Sequence, residues 1–403
     1  MMEKKRNRHV DAIILILFTL ASYGFFGYNQ FPLELIKISK FAAVTIMMIC
    51  MYNEVRKKQK DFYFKIVKYI FYAYLLSIII SYSFEGQSLL LGYLATVPFL
   101  IIVLFFYLCK IDADLILLEN FIWFLGSIYV VLWVYAFYKA PTIVFGFSDD
   151  MYDDLSRGMF RVRITGLGMA ILCYFMSLNK LFVTKKNIYI LPVVILYAVI
   201  FAQLTRIVIV SVSMITFVYI FFVNKKNAIC LFLLFVFAIK TSSFFNKIDA
   251  PTINAMIWLT EKQLEENEIG EENVRITEYK YYFSNWHSNV LECIFGSGEP
   301  HSNSSYGKRD LKLKNNGLYR DDVGYAHIYT ILGGWGLFCF ILLFSKGTIC
   351  RMPAHICYVN LYMAFLLFSS IAASWFWTSD VEVALSICAY MLMNYRIKHH
   401  KRV

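Results

Sequence analysis

Asp321, Asp322 and His327 are the residues of this sequence best placed for acid–base chemistry. They stand where a long polar stretch ends and an apolar run begins, Val323-Gly324-Tyr325-Ala326-His327. A carboxylate or an imidazole at such a boundary can take the proton of an attacking hydroxyl. The spacing of Asp322 and His327 points them to different sides of a helix, so they need not share a role. The two aspartates have a structural alternative, because carboxylates are favoured at a helix N-terminus. Glu299, His287 and His301 are further titratable candidates. His301, in Pro300-His301-Ser302-Asn303-Ser304-Ser305, reads as solvated. Four acids, Asp149, Asp150, Asp153 and Asp154, could hold a divalent ion, but a solvated acidic loop is the simpler reading, and no metal site is expected.

Three arginines carry the other half of the chemistry: Arg163, Arg206 and Arg275. A guanidinium grips phosphate or diphosphate through paired hydrogen bonds and stays charged near lipid. For any one arginine, snorkelling to headgroups or a structural ion pair is a sufficient explanation. Arg206 is different. It lies in the tight link Gln203-Leu204-Thr205-Arg206 between two apolar runs, which leaves it little structural purpose.

These residues must be positioned by membrane helices. Of 403 residues, 59% are hydrophobic, 18% aromatic and 17% charged. Mean hydropathy is +0.57. A soluble globular chain has about 25% charged residues, so lipid must serve as solvent for much of this surface. Net charge is +11, but the basic residues fall in short clusters between apolar runs, with no basic face interleaved with aromatics. Nucleic acid is therefore not expected as a partner. The nine cysteines are scattered without Cys/His metal spacing, and Cys293 alone lies in the large polar stretch. No Walker sequence or dinucleotide fingerprint is present.

With about 20 apolar residues per crossing, the chain divides into about twelve spans. They are expected near Val10–Tyr28, Leu33–Tyr52, Phe62–Phe84, Ser88–Leu108, Leu115–Tyr138, Ile164–Val183, Ile188–Leu204, Ile207–Val223, Ala228–Phe245, Val323–Phe344, Ile356–Trp377 and Val381–Tyr395. The fold class is all-α, a polytopic membrane protein. Residues 1–245 hold the first nine spans with a medium loop at 139–162. Residues 246–322 form a large loop, and 323–403 hold the last three spans and a basic tail. Lys/Arg clusters occupy alternate links: Lys4-Lys5-Arg6, Arg56-Lys57-Lys58-Lys60, Lys110, Lys185-Lys186, Lys225-Lys226, Lys346 with Arg351, and Arg396 onward. This alternation predicts both termini in the cytoplasm and both loops outside the cytoplasmic membrane.

Within the large loop, Pro251-Thr252 reads as a helix start. A second helix is expected over Glu271–Trp286, with Ile276, Tyr279, Phe283 and Trp286 on its apolar face and Glu271 paired with Arg275. Gly296–Leu318 reads as irregular, mobile and least essential to chemistry. Gly333-Gly334-Trp335-Gly336 reads as close helix packing.

Three segments together resemble the O-antigen polymerase and O-antigen ligase superfamily of bacterial polysaccharide assembly. They are Arg163-Ile164-Thr165-Gly166, Leu204-Thr205-Arg206, and the series Arg275, Trp286, Phe295-Gly296-Ser297-Gly298, Asp322-Val323-Gly324-Tyr325 and Gly333-x-x-Gly336-Leu337. Ligase members show a His-Asn pair where this chain has Asp322-Val323, which tilts the resemblance toward a polymerase. The resemblance implies a metal-independent, cofactor-free, inverting glycosyl transfer. The donor would be a polyprenyl-diphosphate-linked oligosaccharide, gripped by Arg163, Arg206 and Arg275, and the acceptor another lipid-linked repeat unit. Asp322 or His327 would assist the acceptor hydroxyl. Membrane lipids and a chain-length regulator protein are the further partners this implies. A ligase, or a flippase for lipid-linked oligosaccharide, is the alternative, and the long polar loop favours an enzyme over a transporter.

Overall fold

A computed structural model describes residues 8–139, 142–146, 162–203, 205–223, 274–374 and 378–400. The expected span Ala228–Phe245, the acidic group Asp149–Asp154, the helix start at Pro251 and the Glu271 partner of Arg275 lie outside these residues.

Among the described residues the chain is helical throughout, with a single isolated β-bridge between Tyr28 and Phe145. The helices are α1 (Arg8–Ser22), α2 (Leu33–Arg56), α3 (Phe62–Glu85), α4 (Leu89–Leu100), α5 (Leu104–Ile111), α6 (Leu115–Tyr138), α7 (Leu167–Thr184), α8 (Ile190–Ala202) and α9 (Arg206–Val223). Then follow the short α10 (Val274–Ser284), α11 (Val290–Phe295) and α12 (Ser305–Asn315), and the long α13 (Gly324–Ile349), α14 (Tyr358–Ser369) and α15 (Ser379–His400). Each expected span within the described residues contains helix, but α1 ends at Ser22 and α14 at Ser369, short of the expected limits Tyr28 and Trp377.

Seven of these helical stretches are long and apolar enough to cross a membrane, counting Leu89–Ile111 as one. α8 with its preceding turn, and α14, are apolar but shorter. α1 has only 15 residues, and α15 carries Asp380 and Glu382 near its start and Arg396 and Lys398 near its end. The apolar faces of α2 and α6 point outward, with Ile38, Ile46, Ile49, Val131 and Val134 all exposed. In water such faces would be costly, whereas in lipid they need no partner.

Local chemistry sets the ends. Asp61 accepts the Tyr63 and Phe64 amides at 2.7 and 3.3 Å and starts α3. Asp114 accepts the Leu117 amide at 2.7 Å and starts α6. Pro98 removes a backbone donor inside the fourth apolar run, which divides into α4 and α5 around a 3-10 turn at Ile101–Val103. The sixth span begins at Leu167 and not at Ile164, because Gly166 has φ 129°, outside helical space.

The links segregate to two ends of the bundle. At one end Arg8 pairs with Asp114 at 2.9 Å, Lys110 reaches the Cys50 carbonyl, and the Tyr63 hydroxyl bonds the Lys346 carbonyl at 3.1 Å. At the other, the large loop settles on the links between α3 and α4 and between α14 and α15. There Arg309 pairs with Glu85 at 2.8 Å, the Gln87 side chain bonds the Glu299 carbonyl at 2.9 Å, and the Ser374 amide donates to the Asp321 carbonyl at 2.8 Å. The basic links and the loop thus occupy opposite ends.

Candidate active site

The loop is fastened through a break in α13. Gly333 has φ 65° and ψ −169°, so the helix is interrupted there and nearby carbonyls lose their helical partners. Two are taken by the loop: the Ser297 amide donates to Thr330 O at 3.0 Å and the Gly298 amide to Ile331 O at 3.1 Å. A Cβ on Gly296 would collide with the Ile331 carbonyl, and one on Gly333 with the Ile294 carbonyl. The two glycine motifs are therefore halves of one joint. The close packing expected of Gly333–Gly336 is real, but its partner is loop backbone. Ser297 is fully buried and ties the joint to its surroundings: its hydroxyl meets Trp286 Nε1 at 3.0 Å, the Tyr306 hydroxyl at 2.7 Å and Thr330 O at 3.1 Å.

This corrects the expectation for Gly296–Leu318. The segment is ordered by the joint and then forms α12, with Ser304 accepting the Gly307 amide at 2.9 Å as its N-cap. His301 is held too, since its amide bonds Gln87 Oε1 at 2.8 Å. The buried side of α10 also differs from expectation: Glu278 and Tyr282 face inward with Trp286 beyond the helix, while Ile276 and Phe283 face outward. Phe283 instead stacks on Tyr329 with ring centroids 4.8 Å apart.

Leaving the joint, the chain places Glu299 between Arg320 and His327. Its carboxylate accepts from Arg320 Nη1 and Nη2 at 3.3 and 3.2 Å and from His327 Nε2 at 3.3 Å. Arg320 is itself buried, bonded to Asp310 by Nε at 2.8 Å and Nη2 at 3.3 Å, and lies over the Trp286 ring. Burial alone would raise the Glu299 carboxyl, but Arg320 and His327 outweigh it and hold it down at about 2. An ionised Glu299 can only accept, so His327 Nε2 carries a proton. In neutral His327 the lone pair is then on Nδ1, which lies 2.7 Å from Ser374 Oγ and 3.4 Å from Asp321 Oδ1.

Ser374 and Asp321 open onto a cavity of about 1000 Å³ between the loop and the helix ends. Arg163, Arg206, Arg275 and Asp322 all line it. Segments far apart in sequence thus bring four of the five expected site residues to one space. His327, the fifth, is 1% exposed and stands behind Ser374 and Asp321. Arg206 is the first residue of α9. The helix dipole favours an anion at that N-terminus. Asp322 lies in the 3-10 turn Arg320–Asp322, and Val323 occupies the N-cap of α13 without a side-chain bond. The aspartates therefore do not cap α13. Burial raises the Asp322 carboxyl, Arg275 lowers it and Asp321 raises it, leaving it above the ordinary aspartate range. Beneath them Glu278, fully buried, is pushed up to about 7 by burial, against the Tyr319 amide that it accepts at 2.9 Å, with Asp322 raising it further.

Several lining residues had no functional signal in the sequence. Lys40 and Asp380 stand out only as charges near span ends, yet both line the cavity, and Asp380 accepts the Gly168 amide at 2.6 Å. Ser374 carries no signal at all. Arg320 was detectable, since an arginine in the large loop needs a reason just as Arg275 does. No protein-family model matches the chain, and no curated protein sequence matches it significantly.

Proposed function

We propose that this protein is a polysaccharide polymerase, an inverting glycosyltransferase of the outer face of the cytoplasmic membrane with both termini in the cytoplasm. Its donor is a polyprenyl-diphosphate-linked oligosaccharide and its acceptor another lipid-linked repeat unit. The carrying observation is the convergence of Arg163, Arg206, Arg275 and Lys40 with Asp321, Asp322 and Asp380 around one cavity. The basic residues suit a diphosphate, the carboxylates suit sugar hydroxyls, and the volume accommodates more than one sugar ring.

The acceptor hydroxyl attacks the anomeric carbon as the bond to the diphosphate oxygen breaks. The departing diphosphate keeps the electron pair, neutralised by the arginines. The hydroxyl proton passes to Asp322, or through Ser374 to His327 Nδ1. A diphosphate drawing on Arg275 would weaken a cation that lowers Asp322, and so make Asp322 the stronger base when donor is bound.

Replacing Arg206 or Arg275 with Ala should abolish long-chain polysaccharide while leaving protein level intact. Normal chain length in both variants would sink the proposal. One observation favours a flippase as the second reading: Glu382 is fully buried in α15, near the cavity-lining Asp380, as in a polar translocation path. The glycan ladder of a deletion strain separates the two. A polymerase deletion leaves single repeat units outside, whereas a flippase deletion leaves none.

A further inference from the structure

At the end of the bundle opposite the loop, a cleft of about 440 Å³ opens between the start of α3 and the ends of α13 and α15. It is lined by Phe62, Tyr63, Lys346, Ile349, Cys350 and Arg396. We propose that this cleft holds the phosphodiester headgroup of an anionic phospholipid, gripped between Lys346 and Arg396.

The two basic side chains come from different helices, and the cleft walls around them are apolar and aromatic. Arg396 lies over the Tyr63 ring, its guanidinium carbon 5.7 Å from the centroid. That contact orients the guanidinium and leaves its edge for an anion. A helix C-terminus ordinarily repels anions through its free carbonyls. Here several carbonyls at the end of α13 are occupied. Asn360 Nδ2 donates to the carbonyls of Gly347 and Cys350 at 2.6 and 2.8 Å, with Thr348 O sharing a hydrogen at 3.3 Å, and the Tyr63 hydroxyl donates to the Lys346 carbonyl at 3.1 Å. The nearest carboxylate on α3, Asp61, is engaged by the Tyr63 and Phe64 amides.

The surroundings suit a lipid better than a soluble phosphate. Ile349, at the mouth, is 76% exposed. From there an apolar stripe runs along α13 through Ile341, Phe338 and Trp335, each exposed, with Tyr69 of α3 beside Trp335. Ile341, Phe338 and Trp335 recur at a spacing that keeps them on one face. Headgroup cleft and acyl track are therefore continuous. Basic pockets between membrane helices beside a basic link are where anionic headgroups bind.

The test is native mass spectrometry of the full-length protein in detergent, titrated separately with phosphatidylglycerol, phosphatidylcholine and glycerol 3-phosphate. Phosphatidylglycerol should be retained in preference to phosphatidylcholine, and glycerol 3-phosphate should not bind at comparable concentration. Lys346→Gln and Arg396→Gln should each weaken phosphatidylglycerol binding about fivefold, and together about 25-fold. Lys110→Gln, a basic residue at the same end, should change nothing, and the charge-conserving pair Lys346→Arg with Arg396→Lys should retain binding. Equal retention of the two lipids, undiminished binding in the double Gln variant, loss in the charge-conserving pair, or equally tight glycerol 3-phosphate would each overturn the proposal.

Discussion

Glu299→Gln tests the geometry behind His327 most directly. The carboxylate takes three hydrogen bonds from two residues: Oε2 receives Arg320 Nη1 and His327 Nε2, both at 3.3 Å, and Oε1 receives Arg320 Nη2 at 3.2 Å. A glutamine has one acceptor oxygen and one NH2 group. If its oxygen faces His327, its NH2 opposes an Arg320 N–H; if it flips, His327 loses its acceptor. Either way a buried donor goes unpaired. The Glu299 carboxyl lies at about 2 against a usual value of 4.5, which corresponds to about 3 kcal/mol favouring the ionised form in the fold. Because the folded value is lowered, this stabilisation is complete above the unfolded value and is lost as pH falls toward about 2. Arg320 keeps Asp310 in the variant, so the net cost is about 2–3 kcal/mol. Glu299→Gln should therefore melt below wild type at neutral pH, and the gap should close only at strongly acidic pH. Transfer activity on a lipid-linked repeat unit should fall about 100-fold or more, since His327 loses the partner that sets its tautomer. Equal melting at neutral pH together with an unchanged glycan ladder would refute the reasoning.

Three further variants probe separate links of the argument. Gly333→Ala places a Cβ against the Ile294 carbonyl at φ 65° and should cost more than about 2 kcal/mol, read as loss of the monodisperse species in size-exclusion chromatography. Glu278→Gln removes a buried acid whose carboxyl is raised to about 7. A raised acid costs stability as pH climbs from its unfolded value through its folded one, so the variant should melt above wild type near pH ~8 and equal it below pH ~4. Ser374→Ala removes the hydroxyl 2.7 Å from His327 Nδ1; transfer should drop about tenfold or more with little change in melting, and unaltered transfer would show that the proton does not travel that way.

The sequence by itself determined the helices and their rough limits. Lipid offers no partner for backbone amides and carbonyls, so an apolar run of sufficient length has to satisfy them within itself. The apolar runs, and the arginines and acids worth testing, are local signals, legible in the order of residues; the caps Asp61 and Asp114 and the break after Pro98 emerged with the structure. The tertiary structure decided what those signals could not reach. Gly296–Leu318 looks unstructured because its order comes from two carbonyls released at Gly333, far along the chain, and from the buried Ser297. Lys40, Ser374 and Asp380 gain meaning only where packing turns them toward Arg163, Arg206 and Arg275. Glu299, Arg320 and His327 become one unit because a broken helix folds the loop back over its own continuation. Helix formation is a property of neighbours in sequence. A site assembled from distant helix ends and a loop depends on contacts that only the packed chain makes.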